Sequence, residues 1–209
     1  MTAFQASLLG CDEDPRPGPL GDTVHRTPLA HRAWIDLRPG WLLGADDLFE
    51  HLLTVVPWRA ERRRMYDRIV DVPRLLARYD EGAPLPHPVL REALEALNAH
   101  YAGEAGWPFR TVGLCLYRDG RDSVAWHGDT GGRGATEDTM VAILSLGAPR
   151  TLALRPRDDH RRTVRRTLGH GDLLVMGGSC QRTWEHAVPK TGRPVGPRIS
   201  VQFRPRGVH

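Results

Sequence analysis

Lysine is almost missing from this chain. Of 29 basic residues only Lys190 is lysine, and the other 28 are arginine. In so Arg-rich a sequence, a pair such as Arg198 and Arg204 is a weak signal by itself. Cysteine is scarce too: Cys11, Cys115 and Cys180 are odd in number and far apart. They suggest no disulfide framework, so a reducing cytoplasm is the expected compartment. No apolar run approaches the ~20 residues that a membrane-spanning helix needs. Residues 1–10 lack a basic region followed by a long apolar one, so no signal peptide is expected.

What remains is ordinary for a globular protein. Hydrophobic residues make up 40% and charged residues 26% of 209 positions, enough for one domain with a full core. The net charge is +4 and the pI about 9.3. Both suit a phosphate-bearing partner, and both suit a plain solvated surface.

Along the chain, residues 1–30 read as a flexible tail rich in Gly, Pro and Asp. Residues 31–209 read as one domain: a mixed portion over 31–110 and a β-rich core over 111–209. In the first portion, residues 33–43 are strand-like around a Pro39-Gly40 turn. Asp46 or Asp47 is placed to cap a helix carrying Leu48, Phe49, Leu52, Leu53 and Val56 at helical spacing, ended by Pro57. Arg59, Arg62, Arg63 and Arg64 form a basic cluster. Residues 65–74, with Tyr66 and Arg74, read as two short strands or a strand and a loop. Exposed Arg and aromatic side chains of this kind can hold phosphates and stack bases; the plain alternative is a charged hairpin. After a loop over 80–87, Pro88 opens a second helix with Val89, Leu90, Ala93, Leu94, Leu97 and Tyr101 on one face. From residue 111 the period becomes two. Strands are expected at 111–117, 123–127, 139–146, 151–155, 162–168, 172–176 and 198–203, which suggests a sandwich or jelly roll.

Within that block lies His127-Gly128-Asp129. On an extended backbone, residues two apart point to one face. His186, 57 residues after Asp129, supplies a third ligand from a separate strand. Two His and one carboxylate leave open positions opposite them, the ligand set of a non-haem Fe(II) that takes up O₂ and a co-substrate. Arg198 and Arg204 share a strand face at ~20 Å between Cα atoms. Both would have to lean together to grip one small dicarboxylate.

The order of these pieces resembles the AlkB family of Fe(II)- and 2-oxoglutarate-dependent dioxygenases. The resemblance covers residues 32–204. It is carried by Pro73-Arg74 with Tyr79, by residues 109–120, by His127-Gly128-Asp129 and by Ser145-Leu146-Gly147. Residues 171–176, 184–190 and 197–205 continue it. It implies a mainly β fold with flanking helices (α+β): a double-stranded β-helix, or jelly roll, with an N-terminal lid. His127, Asp129 and His186 would hold Fe(II). Arg198 and Tyr117 would bind the distal carboxylate of 2-oxoglutarate, and Arg204 would lie nearer the metal. The implied activity is oxidative dealkylation of N-alkylated bases in DNA or RNA with O₂, releasing aldehyde, succinate and CO₂. The implied partner is alkylated nucleic acid reached by base flipping, with no membrane and a monomeric protein. Arg59, Arg62, Arg63, Arg64, Tyr66 and Arg74 would form the nucleic-acid surface; Tyr66, Tyr79 and His87 are the candidates to stack the base.

Three positions depart from the family pattern. Cys115 stands where an Asn is usual, so one co-substrate hydrogen bond is missing or replaced. Gly131, Gly132 and Arg133 stand where an acidic residue often touches the base. Residues 80–87 lack an aromatic-rich hairpin. Two other functions therefore stay open: the same chemistry on a protein or small molecule, and a jelly-roll module that binds without catalysis.

Overall fold

The computed structural model describes residues 14–65, 68–104 and 108–208, and side chains outside 63–71. In chain order the elements begin with β1 (Arg16–Pro17), β2 (His25–Pro28), β3 (Ala33–Arg38) and β4 (Leu42–Leu43). Helix α1 (Ala45–Val55), β5 (Arg59–Met65), β6 (Arg68–Tyr79) and α2 (Val89–His100) follow. The remainder is β7 (Phe109–Tyr117), β8 (Val124–His127), β9 (Val141–Gly147), β10 (Arg150–Pro156), β11 (Val164–Leu168), β12 (Asp172–Gly178), the single turn α3 (Cys180–Thr183), β13 (Trp184–Val188) and β14 (Arg198–Pro205).

Two antiparallel sheets make the jelly roll. The large one has the order β2-β3-β12-β9-β14-β7-β6-β5, the small one β11-β10-β13-β8. The alternation of apolar residues builds two cores. On the helix side of the large sheet, Val112, Leu114 and Leu116 of β7 and Ile199, Val201 and Phe203 of β14 join Leu48 and Leu52 of α1 and Leu90 and Leu97 of α2. On the other side, Cys115 and Tyr117 of β7 face Leu152 and Leu154 of β10 and Val188 of β13. The functional site opens into this second layer.

All seven strands expected after residue 111 form within two residues of their expected bounds. β13 was not among them, although His186 was assigned to a strand of its own. It is a central strand whose polar positions pair across the sheet, Glu185 with Arg155 at 2.9 Å, which hides its pattern. Residues 14–30 are not a tail. β1 pairs with β4, β2 pairs with β3, and Arg26 grips the buried Asp36 with two bonds of 2.8 and 2.9 Å. Residues 1–13 lie outside the described residues. The cap of α1 also differs: Gly44 precedes it at φ 60 with no side-chain bond. Asp46 and Asp47 sit in the first turn, where the helix dipole favours them.

β5 and β6 pair antiparallel, and β6 continues onto β7. Pro73 has no N–H and falls in a gap of the ladder. Its carbonyl accepts the N–H of Ser123 (2.8 Å), and Arg74 Nη1 donates to the Ser123 carbonyl (3.2 Å). β6 is thereby pinned to the residue that enters β8.

Candidate metal and co-substrate site

His127 ends β8 and His186 lies directly opposite it on β13. Asp129 follows two residues after His127. One ligand atom from each of the three can be chosen so that all lie within 4.8 Å of one another. Gly128 makes this approach possible. A Cβ there would meet Arg157 Nη2 and the Gln181 carbonyl at 2.5 Å and the Trp184 carbonyl at 3.2 Å. His127 Nδ1 lies 2.9 Å from the Ala125 carbonyl. As the N–H donor there, it leaves Nε2 facing the cluster for a metal. Burial pushes the His186 imidazole down to about 3, helped by His127 and opposed by Asp129. It is neutral, as a ligand must be. Burial alone would raise the Asp129 carboxyl, but the Arg204 guanidinium beside it holds it well below the usual carboxylate range. The three residues offer two imidazoles and a carboxylate on one side of a cavity, which fits a divalent metal with free positions.

The cavity continues along β14, whose residues 198, 200, 202 and 204 all line it. Arg198 is 2% exposed. Its Nε donates to Ser145 Oγ at 2.9 Å, while Nη1 has no hydrogen-bond partner among the described residues. Burial disfavours its charge, and Arg150 adds like charge from nearby. A buried, half-paired guanidinium of this kind calls for an anion. Tyr117 stands opposite Arg198 in the β7–β14 register, its ring centre 5.4 Å from the guanidinium carbon. Burial pushes the phenol up to about 12, so its hydroxyl stays protonated and can donate. These donors fit one end of a dicarboxylate.

Arg204 does not lean toward Arg198. Its Nε donates to Asp129 Oδ2 at 2.8 Å, so it serves the metal end of the cavity. Arg74 also differs from expectation. It lines the cavity with Tyr117 and His127 and is not part of the outer basic cluster. Of that cluster, Arg59 and Arg62 are exposed on edge strand β5. The side chains of Arg63 and Arg64, and Tyr66 altogether, lie outside the described residues. Tyr79 packs against the helix-side core. His87 Nδ1 accepts the Val89 N–H at the start of α2 (3.2 Å). Neither lines the cavity. Gly132 and Arg133 are tied to the C-terminal turn, Gly132 bridging Val208 and Arg133 N–H donating to the Gly207 carbonyl at 3.1 Å.

The sequence patterns missed Gln202, Ser200 and Gln181. Gln181 Oε1 accepts the Asp129 N–H (3.3 Å) and so helps to aim that carboxylate. The polar residues between Arg198 and Arg204, at the strand period, were the signal for the other two.

Fold and site define a class: a jelly roll that holds a His-Asp-His cluster beside a buried cation. The model of the 2OG-Fe(II) oxygenase superfamily matches residues 75–204. The alpha-ketoglutarate-dependent dioxygenase alkB homolog 3 of Bos taurus is 35% identical, covering 83% of this chain and 68% of its own. The DNA oxidative demethylase ALKBH2 of Homo sapiens is 28% identical, covering 77% and 68%. The structure of OsALKBH1 superposes with a TM-score of 0.58 at 14% identity, over 87% of this chain and all of that one, and attests the fold. The chain belongs to the 2OG-Fe(II) oxygenase superfamily, in its AlkB branch. It spans about two thirds of the length of the curated relatives it matches. Enzymes of this superfamily use Fe(II), 2-oxoglutarate and O₂.

Proposed function

We propose that this protein oxidatively dealkylates N-alkylated bases, with DNA the first substrate to test and RNA the second. The single observation that carries the reading is the shared cavity, which joins a His-Asp-His cluster to a buried Arg198 with a free donor. The substrate class is supported by the relatives called DNA oxidative demethylase and by the exposed arginines of β5.

In this reading His127, Asp129 and His186 hold Fe(II), and Arg198 and Tyr117 hold the far carboxylate of 2-oxoglutarate. When bound, these groups and O₂ supply the oxidation that hydroxylates the N-alkyl carbon, with succinate, CO₂ and an aldehyde as the other products. The chain's own residues do the positioning. Arg204 neutralises and orients Asp129. Ala125 fixes the His127 tautomer. Val141, Ile143, Leu152 and Val188 line the cavity with apolar surface and limit water. The paired strands β5 and β6 are the lid, with Arg59 and Arg62 on the nucleic-acid side and residues 111–209 as the catalytic core. The target base leaves its stack, which costs least when it is damaged or single-stranded. Free buried Cys115 and Cys180 suit a reducing compartment such as the cytoplasm, and a monomer suffices for the site.

A second substrate reading, a protein or small molecule, draws support from Gly131-Gly132-Arg133. That segment packs toward the C-terminal turn and offers no acidic side chain to a base. A binding module without catalysis does not fit the family membership. Succinate formation, measured with and without a methylated oligonucleotide, decides between the substrates. Stimulation by the oligonucleotide with loss of its methyl group supports dealkylation; turnover indifferent to nucleic acid supports the second reading.

A further inference from the structure

Cys115 leaves the cavity floor without the amide that the AlkB pattern puts at that position. The structure brings an amide to the same place from the neighbouring strand. Gln202 lies on β14 opposite Gly113 of β7, and Ser200 lies opposite Cys115. Gly113 has no side chain, and the Gln202 carboxamide lies over it. A Cβ at Gly113 would stand 3.2 Å from Gln202 Oε1 and 3.0 Å from Arg204 Nη1. Crossing that bare position, Gln202 Oε1 comes within 3.6 Å of Cys115 Sγ, whose thiol donates to it. Its Nε2 donates to Ser200 Oγ at 2.8 Å and to the Ser200 carbonyl at 3.2 Å. Arg204 Nη1 adds a long bond of 3.4 Å to Oε1. Gln202 is 7% exposed and lines the cavity between the Arg198 end and the Arg204 end.

The ligand chemistry gives this placement its meaning. A 2-oxo dicarboxylate presents acceptors only, so the floor beneath it must present donors. A thiol is a weak donor, whereas a carboxamide nitrogen has two N–H groups. Both N–H groups of Gln202 are spent on Ser200 here, at 2.8 and 3.2 Å, so binding a carboxylate means a rotation of the amide that trades these local bonds for one to a charged group.

We propose that Gln202 is a co-substrate-binding residue, doing from β14 what an Asn at position 115 would do from β7. This rests on the 2-oxoglutarate reading of the cavity. Cys115, Gly113 and Gln202 then form one substitution unit: the thiol vacates volume, the glycine opens the crossing, and the glutamine delivers the amide.

The test uses the full chain loaded with Mn(II), which fills the site without turnover, and reads 2-oxoglutarate affinity by calorimetry. Gln202→Leu, similar in size but without the amide, should weaken binding about tenfold, the loss of one hydrogen bond to a charged group. Mn(II) affinity should not change. Adding Cys115→Asn to Gln202→Leu should recover most of the lost affinity, because the amide returns to the same place. A merely structural role for Gln202 would not be rescued from the other strand. If Gln202→Leu does not fold, Gln202→Met carries the same comparison. Unchanged 2-oxoglutarate affinity, a parallel loss of Mn(II), or no rescue would overturn the proposal. If the wild-type Mn(II) protein took up no 2-oxoglutarate, the dioxygenase reading itself would fail.

Discussion

Along β14, Ile199, Val201 and Phe203 face the helices, and Arg198, Ser200, Gln202 and Arg204 face the space between the sheets. Apart from Arg204, whose side chain is 19% exposed, every one of these residues is buried. Equal burial therefore means opposite things on the two faces. The helix side removes apolar surface from water and stabilises the fold. The cavity side keeps charge out of water with only part of its bonding satisfied, as at Arg198 Nη1, at a cost in stability that a bound anion would offset. The strand is held from one side and used from the other.

The strongest way to break this comparison is at the cluster. His127→Ala, Asp129→Ala and His186→Ala should each abolish Fe(II)-dependent succinate formation while the protein stays folded by circular dichroism. Full activity in any of them would remove that residue from the ligand set.

Substitutions on β14 itself should separate the faces. Phe203→Ala should cost about 3–5 kcal/mol in chemical denaturation, because it opens a cavity in the helix-side core. Arg198→Met should do the reverse. Co-substrate affinity should fall more than about tenfold, following a loss of about 2–5 kcal/mol for an orphaned carboxylate. The metal-free protein should be as stable as wild type or more so, because an unsatisfied buried charge has gone. A large destabilisation by Arg198→Met would show that both faces serve the fold.

A smaller effect sets the cavity against β5. Arg59→Ala with Arg62→Ala should weaken oligonucleotide binding across sequences. The slope of log affinity on log salt should become shallower by about one to two units. Succinate formation without DNA should hardly change. An unaltered slope would make β5 an ordinary protected edge strand.

The smallest effect is on the helix side. His170 Nδ1 accepts the Gly147 N–H at 2.7 Å, and burial lowers the ring's pKa against the pull of Asp46 and Asp172. The unfolded chain therefore binds that proton more readily than the folded one. The stabilising contribution is complete above about pH 6.5 and is lost as pH falls toward the lower folded value. His170→Gln should flatten stability against pH in that window and leave 2-oxoglutarate binding unchanged.

Much of this site was legible because chemistry restricts it to few residues. His127-Gly128-Asp129 with a distal His186 has one economical use, and the strand period from residue 111 gave the sheet that carries it. Other features depended on partners far away in sequence. Arg198 and Arg204 were correctly placed on one face, but the face did not reveal that Arg204 bonds Asp129. β1 and β2 are two and four residues long, with prolines, and exist because β4 and β3 pair with them. Arg74 read as one more basic residue of the nucleic-acid surface, yet it lines the cavity and its Nη1 reaches the Ser123 carbonyl, 49 residues away in sequence. Tyr79 read as a base-stacking candidate, yet its strand register assigns it to the helix side.

The pairing of Arg204 with Asp129 also bears on how the centre is filled. An acidic ligand that must lose a proton, or an imidazolium that must lose one, ties metal uptake to the acidity of the surroundings. Here the carboxyl is already ionised and counterbalanced, and the His186 ring is already neutral. The arriving cation meets a carboxylate that Arg204 has already oriented and counterbalanced.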